Sequence, residues 1–148
     1  MNRDIDIVLV EPEIAGNIGA VARVMKNFGF NSLVLVNPKC DPKSSEAVCR
    51  AKNAQDVLEN LRTVGSIDEL SYNHKIGTTG KLGSDYNISR SPTTPSEFAE
   101  DIPSGKTGIF FGRESHGLTN EEIVMMDFLL TIPSNPEYPI LNLSHAVT

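Results

Sequence analysis

The sequence predicts an α/β domain, a mostly parallel sheet with helices on both faces. Three observations carry this. Short apolar runs alternate with amphipathic stretches along the chain. The first 36 residues already read strand, helix, strand, a βαβ unit whose strands run parallel because the crossover passes through a helix. The chain has 148 residues, the length of one domain, and residues 1–148 contain no linker, internal repeat or low-complexity tract to divide it.

Each element has its own reason. Ile5 to Val10 is a buried strand, closed by the turn Glu11-Pro12-Glu13. Residues 17–28 form a helix, because Ile18, Val21, Ala22 and Met25 recur at helical spacing; Asn17 is placed to cap it and Gly29 to end it. Leu33 to Val36 is a second short strand. Ser44 to Leu61 is mostly helical with a break near Asn53, and Val64 marks a short strand. Ser66 to Leu70 opens as a capping box. His74 to Thr78 is a weak strand running into Thr79, Gly80 and Lys81, and residues 82–95 read as a polar surface loop. Pro95 to Asp101 is a short helix with proline at its first position. Thr107 to Phe111 is a strand. Thr119 to Glu122 is a further capping box, starting a helix through Met126. Phe128 to Ile132 is a strand cut at Pro133, and a helix opens at Asn142. The chain stops at Thr148, one or two turns into that helix, so a truncated C-terminus is expected.

Composition excludes several classes. Hydrophobic residues at 39% and charged residues at 22% fit a folded soluble domain rather than a disordered chain. No apolar run approaches the roughly 18–20 residues of a membrane span, and the N-terminus has no signal-peptide core, so no membrane partner is expected and cytoplasm is the default location. Cys40 and Cys49 match no zinc spacing and read as reduced thiols; no metal site is expected. The formal net charge of −6 disfavours nucleic acid. From Arg23 to Lys52, however, six basic residues face two acidic ones, which allows a local basic face on an acidic body.

Three loops, the first two of them glycine-containing, follow predicted strands, where ligands bind in open parallel sheets. The first, Glu11 to Gly19, fits neither a dinucleotide fingerprint nor a phosphate loop. In the helix it opens, Gly19, Arg23, Lys26 and Asn27 share the polar face. With open space left at Gly19, Arg23 could clamp a phosphate; otherwise this is a solvated face. In the second loop, Phe110 to Leu118, Gly112 and Gly117 suggest positive φ or a backbone brought close to a ligand. Glu114 there is either a surface partner of Arg113 or an anchor for the arginine of the first loop, and His116 is a loop histidine. The third loop, Ile132 to Val147, is stiffened by Pro133, Pro136 and Pro139, and its Asn142 and Ser144 are helix caps or substrate contacts.

Taken in order, three segments resemble the motifs of the SpoU family of SPOUT RNA 2′-O-ribose methyltransferases: Asn17 to Arg23, Phe111 to Leu118, and Ile132-Pro133 with Leu141 to Val147. The flanking Val10-Glu11-Pro12, Leu35 to Lys39 and Ile132 to Tyr138 are most similar to the branch that methylates tRNA nucleotide 32 in the anticodon loop. The resemblance implies a C-terminal trefoil knot, S-adenosyl-L-methionine as cofactor, RNA as partner and a homodimer with composite active sites. It implies cofactor contacts at Thr78, Thr79, Gly80, Gly112, Ile132, Pro139, Ile140 and Leu141. It implies a catalytic set of Asn17, Arg23, Glu114 and Asn142. Related enzymes often carry serine at the position of Ile140, so no catalytic serine is expected there. The implied reaction is in-line attack of a ribose 2′-hydroxyl on the sulfonium methyl, with Arg23 as phosphate clamp, because a guanidinium is not deprotonated in proteins. The alternatives are rRNA as substrate, a non-catalytic RNA-binding module of this fold, or another α/β enzyme with a small nucleotide ligand.

Overall fold

A computed structural model describes residues 4–80 and 92–148. Residues 81–91, most of the expected polar loop, lie outside the described residues. The elements in chain order are β1 (Ile5–Val10), α1 (Ala15–Asn27), β2 (Leu33–Val36), α2 (Ser45–Ala51), α3 (Gln55–Glu59), β3 (Arg62–Val64), β4 (His74–Thr78), α4 (Pro95–Glu100), β5 (Thr107–Phe111), α5 (Asn120–Val124), β6 (Phe128–Leu130) and α6 (Leu143–Val147). A single turn of 3-10 helix, Lys52–Ala54, makes the expected break between α2 and α3, and another follows the Ser66 capping box.

Among the described residues six strands form one sheet in the order β3-β2-β1-β5-β4-β6, and each of these pairings is parallel. Both faces are covered, as a parallel sheet requires. Ile7, Leu9, Leu33, Leu35 and Phe111 pack under α1, α2, α3 and α6. Val8, Val10, Val34, Val36 and Phe110 face Ile67, Leu70, Ile123 of α5 and Met126 just beyond it. The predicted stripe Ile18, Val21, Ala22 and Met25 is buried against the first of these layers. No helix among the described residues is long and apolar enough to cross a membrane. The implied knot is not visible among the described residues.

Four expectations change. Helix α1 begins at Ala15, so Asn17 lies inside its first turn and does not cap it; no side chain of the N-cap residue Ile14 does so either. Strand β6 ends at Leu130 rather than Ile132, because its partner β4 ends at Thr78 and the Thr131 N–H is taken by the Thr93 carbonyl at 2.8 Å. Helix α5 ends at Val124, where Met125 and Met126 bond back three residues and tighten the last turn. Finally, Gly19 leaves no open space. A Cβ there would collide with the Ala47 carbonyl oxygen and lie 3.0 Å from the Ala51 nitrogen, so the missing side chain is occupied by the backbone of α2.

Candidate functional site

The sheet order places β1 beside β5, with successive connections leaving to opposite sides. This is the topological switch point at which the carboxyl ends of adjacent strands open a crevice. The loop after β1 and the loop after β5 meet there, and Glu114 joins them. Its carboxylate accepts from the Glu13 N–H at 3.0 Å, the Ile14 N–H at 2.9 Å and the Asn17 side-chain amide at 3.0 Å. An anion from the second loop thus satisfies donors at the start of α1, where the helix dipole is positive. This corrects the expectation for Glu114. It pairs neither with Arg113 nor with Arg23; it holds Asn17 and the helix terminus. Arg23 lies six residues further on, about 9 Å along the axis. It is exposed and makes no hydrogen bond or ion pair with any described residue.

Arg113 does different work. Its guanidinium donates to both Glu122 oxygens at 2.9 and 3.0 Å, to Glu11 at 2.7 Å and to the Gly117 carbonyl at 3.2 Å. Glu122 closes the α5 capping box through the Thr119 N–H at 2.7 Å, so one carboxylate fixes both the helix start and the arginine. The Glu122 pair holds the Arg113 guanidinium charged against its burial, with help from Glu11. Burial pushes the Glu122 carboxyl up, but the Arg113 and Thr119 hydrogen bonds outweigh it and hold the group below its ordinary value of 4.5. A carboxyl depressed in the folded state stabilises at pH above its unfolded value and loses that contribution as pH falls through the folded value. We therefore expect Glu122→Gln to be less stable than wild type at neutral pH and to lose less stability on acidification below 4.5, measured by thermal unfolding across the acid range. Sequence spacing carried no sign of this network, because Arg113 and Glu11 are 102 residues apart.

A third arrangement, unmarked by sequence spacing, joins the loop after β1 to the loop after β5. The Ser115 hydroxyl donates to Glu13 at 2.8 Å, the Ser115 N–H donates to the same oxygen at 3.0 Å, and the hydroxyl lies 2.6 Å from His116 Nδ1. These bonds, the side-chain one first, lower the Glu13 carboxyl's proton affinity.

Between these loops lies a cavity of about 370 Å3. Thr78, Thr79 and Gly80 come to it from the end of β4, Gly112 from the end of β5, and Ile132, Pro139, Ile140 and Leu141 from the third loop. The eight residues of the implied cofactor set, from three separate segments, thus line one space. Glu114, Ser115 and His116 stand on its wall; Asn17, Arg23 and Asn142 do not line it. Asn142 caps α6, its amide oxygen accepting from the Ser144 N–H and hydroxyl at 3.1 and 2.9 Å, and α6 packs against α1 through Leu143 and its neighbours. Gly117 takes the positive φ that the sequence suggested, at 71°. Gly112 has its close approach, but to its own loop: a Cβ there would collide with the Gly117 and Leu118 backbone.

The walls mix apolar side chains such as Leu118, Ile123 and Ile132 with backbone and a polar edge. The volume and lining suit an organic molecule of drug size. The basic window is partly neutralised, since Lys26 pairs with Asp56 at 2.9 Å and Lys39 lies 3.7 Å from Glu11. Cys40 and Cys49 are both free thiols.

The chain matches the model of the SpoU rRNA Methylase family over residues 4–148. It is 44% identical over 147 residues to a tRNA (cytidine-2′-O-)-methyltransferase TrmJ of Methanocaldococcus jannaschii, covering 97% of this chain and 64% of the relative. Among solved structures, a probable methylase family protein from Haemophilus influenzae Rd KW20 superposes with a TM-score of 0.91 at 39% identity, covering 99% of this chain and 63% of that one. TrmJ from Z. mobilis ZM4 superposes with a TM-score of 0.88 at 34% identity, covering 96% and 64%. The chain spans about three fifths of the length of the curated relatives it matches.

Proposed function

This chain belongs to the SpoU rRNA Methylase family, and from that premise we propose that it methylates a ribose 2′-hydroxyl of tRNA, at nucleotide 32 of the anticodon loop, using S-adenosylmethionine and working as a homodimer. The observation that carries the reading is the convergence of Thr78–Gly80, Gly112, Ile132 and Pro139–Leu141 on one cavity at the switch point of the sheet. The name of the Methanocaldococcus relative supports tRNA and 2′-O chemistry.

The cofactor, when bound, supplies an electrophilic methyl on a sulfonium that is already a good leaving group, so the protein's task is positioning. Ile132 and Pro139 to Leu141 give the cavity an apolar wall. Glu114 ties the cavity loop to the first turn of α1 and orients Asn17 by accepting from its amide nitrogen. Asn142, its oxygen committed to capping α6, keeps an amide N–H2 to donate to the nucleotide. Arg23 grips a phosphate of the RNA with its planar fork. It does so across the dimer, because within one chain it stands away from the cavity.

Incubating the protein with unmodified tRNA and radiolabelled S-adenosylmethionine should yield labelled RNA, and calorimetry should register the cofactor or its demethylated product. Binding of ATP or NAD with no heat from either methyl-donor species would overturn the assignment.

A further inference from the structure

Helix α1 and the α2–α3 segment lie side by side and run in the same direction. A Cβ on Gly16 would meet the Glu46 side chain, one on Gly19 would meet the Ala47 and Ala51 backbone, and Lys26 Nζ donates to the Asn53 carbonyl at 3.1 Å and to Asp56 at 2.9 Å. Gly16, Gly19 and Lys26 thus mark the side of α1 that follows this segment. Arg23 lies about 40° around the helix axis from Gly19, so it borders the seam on the side away from the core stripe. One turn beyond Arg23 the seam opens into a polar cleft lined by Lys26, Lys52, Asn53, Gln55 and Asp56. Asp56 is the one acid in that lining, and Lys26 already pairs with it. Lys52 is exposed, and its ammonium makes no hydrogen bond or ion pair with any described residue.

The backbone at Lys52 is a second, separate observation. It has φ 53° and ψ −119° where it closes α2, with its N–H on the Cys49 carbonyl. That conformation suits glycine and strains a residue that carries a Cβ. Strain of this kind persists where a side chain has a task, and burial is not the task of an exposed lysine. We propose that this cleft is a subsite for a backbone phosphate of the RNA, adjacent to the phosphate that Arg23 grips, with Lys52 as the cation that takes it. This rests on the tRNA-methyltransferase reading. An ammonium holds phosphate as a point charge, and Asn53 and Gln55 bring side-chain amides to the same lining. Lys26 neutralises Asp56, so Arg23, Lys26 and Lys52 leave the seam positive on a chain whose formal net charge is −6.

Equilibrium binding of an unmodified tRNA transcript, followed against salt and beside thermal unfolding, tests this. Lys52→Gly removes the charge and relieves the strained φ. It should melt no lower than wild type and yet bind tRNA about fivefold more weakly, with the slope of log affinity against log salt reduced by about 0.7–1. Lys52→Arg keeps the charge and should bind as wild type does. Asp56→Asn should bind more tightly than wild type, because it removes the anion and frees Lys26. S-adenosylmethionine affinity should be the same in all three, since neither position lines the cofactor cavity. A Lys52→Gly protein with wild-type tRNA affinity and salt slope overturns this proposal alone. So does one that melts lower than wild type, since the lysine would then serve the fold. Displacement of tRNA by micromolar inorganic phosphate would make the cleft a site for the free anion and also overturn it. Failure of the wild type to bind tRNA overturns the tRNA reading and this proposal with it.

Discussion

Arg23→Ala is expected to leave folding and cofactor affinity nearly unchanged and to lose most methyl transfer. Its side chain is exposed on α1, opposite the stripe that faces the core, and contacts no described residue by hydrogen bond or ion pair. Truncating such a residue shifts stability by no more than about 0.5 kcal/mol. It does not line the cavity either, so cofactor binding measured by calorimetry should survive. Arg23→Lys should not rescue turnover, because an ammonium lacks the planar fork that grips a phosphate through two parallel bonds. Its exposure sharpens the test. An arginine that stands away from its own cavity can serve catalysis only by meeting RNA at a distance or by completing a partner's site. Mixing Arg23→Ala with a cavity-defective Ile140→Asp protein should therefore restore partial activity if the sites are composite across a two-fold dimer. Normal turnover in both arginine variants would refute the phosphate-clamp role, and a parallel loss of melting temperature would make the residue structural.

Gly19→Ala should be strongly destabilising. On helix propensity alone, replacing a helical glycine by alanine gains about 1 kcal/mol. The position of α2 reverses the sign. The added methyl would meet the Ala47 carbonyl oxygen and sit 2.9 Å from its carbon, and neither is the end of a side chain that can swing aside. The two helices must separate, opening gaps among Ala22, Ala47 and Ala51, which are all fully buried. Overpacking of this kind costs on the order of 3 kcal/mol, which for a domain of this size lowers the melting temperature by roughly 10 °C. Gly29→Ala is the control. Nothing lies within 4 Å of a Cβ there, so only the positive φ of 80° is strained, at about 1–2 kcal/mol. Equal melting temperatures for the two variants would show that α1 and α2 can part without cost.

Much of the fold was legible because it is written in local periodicity. Ile5–Val10 and Leu33–Val36 are continuous apolar runs, as strands buried on both faces must be. Thr119 and Glu122 announced a helix start through the spacing of their own side chains. The cavity residues were legible only through motif resemblance, since nothing in the composition of Thr78–Gly80 or Pro139–Leu141 says that they meet. Gly19 was misread for the opposite reason. A glycine in a sequence shows that a side chain is missing and is silent about what fills the space.

By itself, the sequence determined where strands and helices lie, which faces are apolar, and that polar loops follow the strand ends; these depend on residues a few positions apart. Which loops become partners was decided by the tertiary structure. Glu114 reaches Asn17 across 97 residues, and Arg113 reaches Glu11 across 102, because β5 returns to pair with β1 after β2 and β3 have been laid on its other side. A carboxylate at the end of a strand is compatible with many partners. The order of strands in the sheet selects one, and that order is set by burial of the whole set of apolar faces rather than by any segment near the loop.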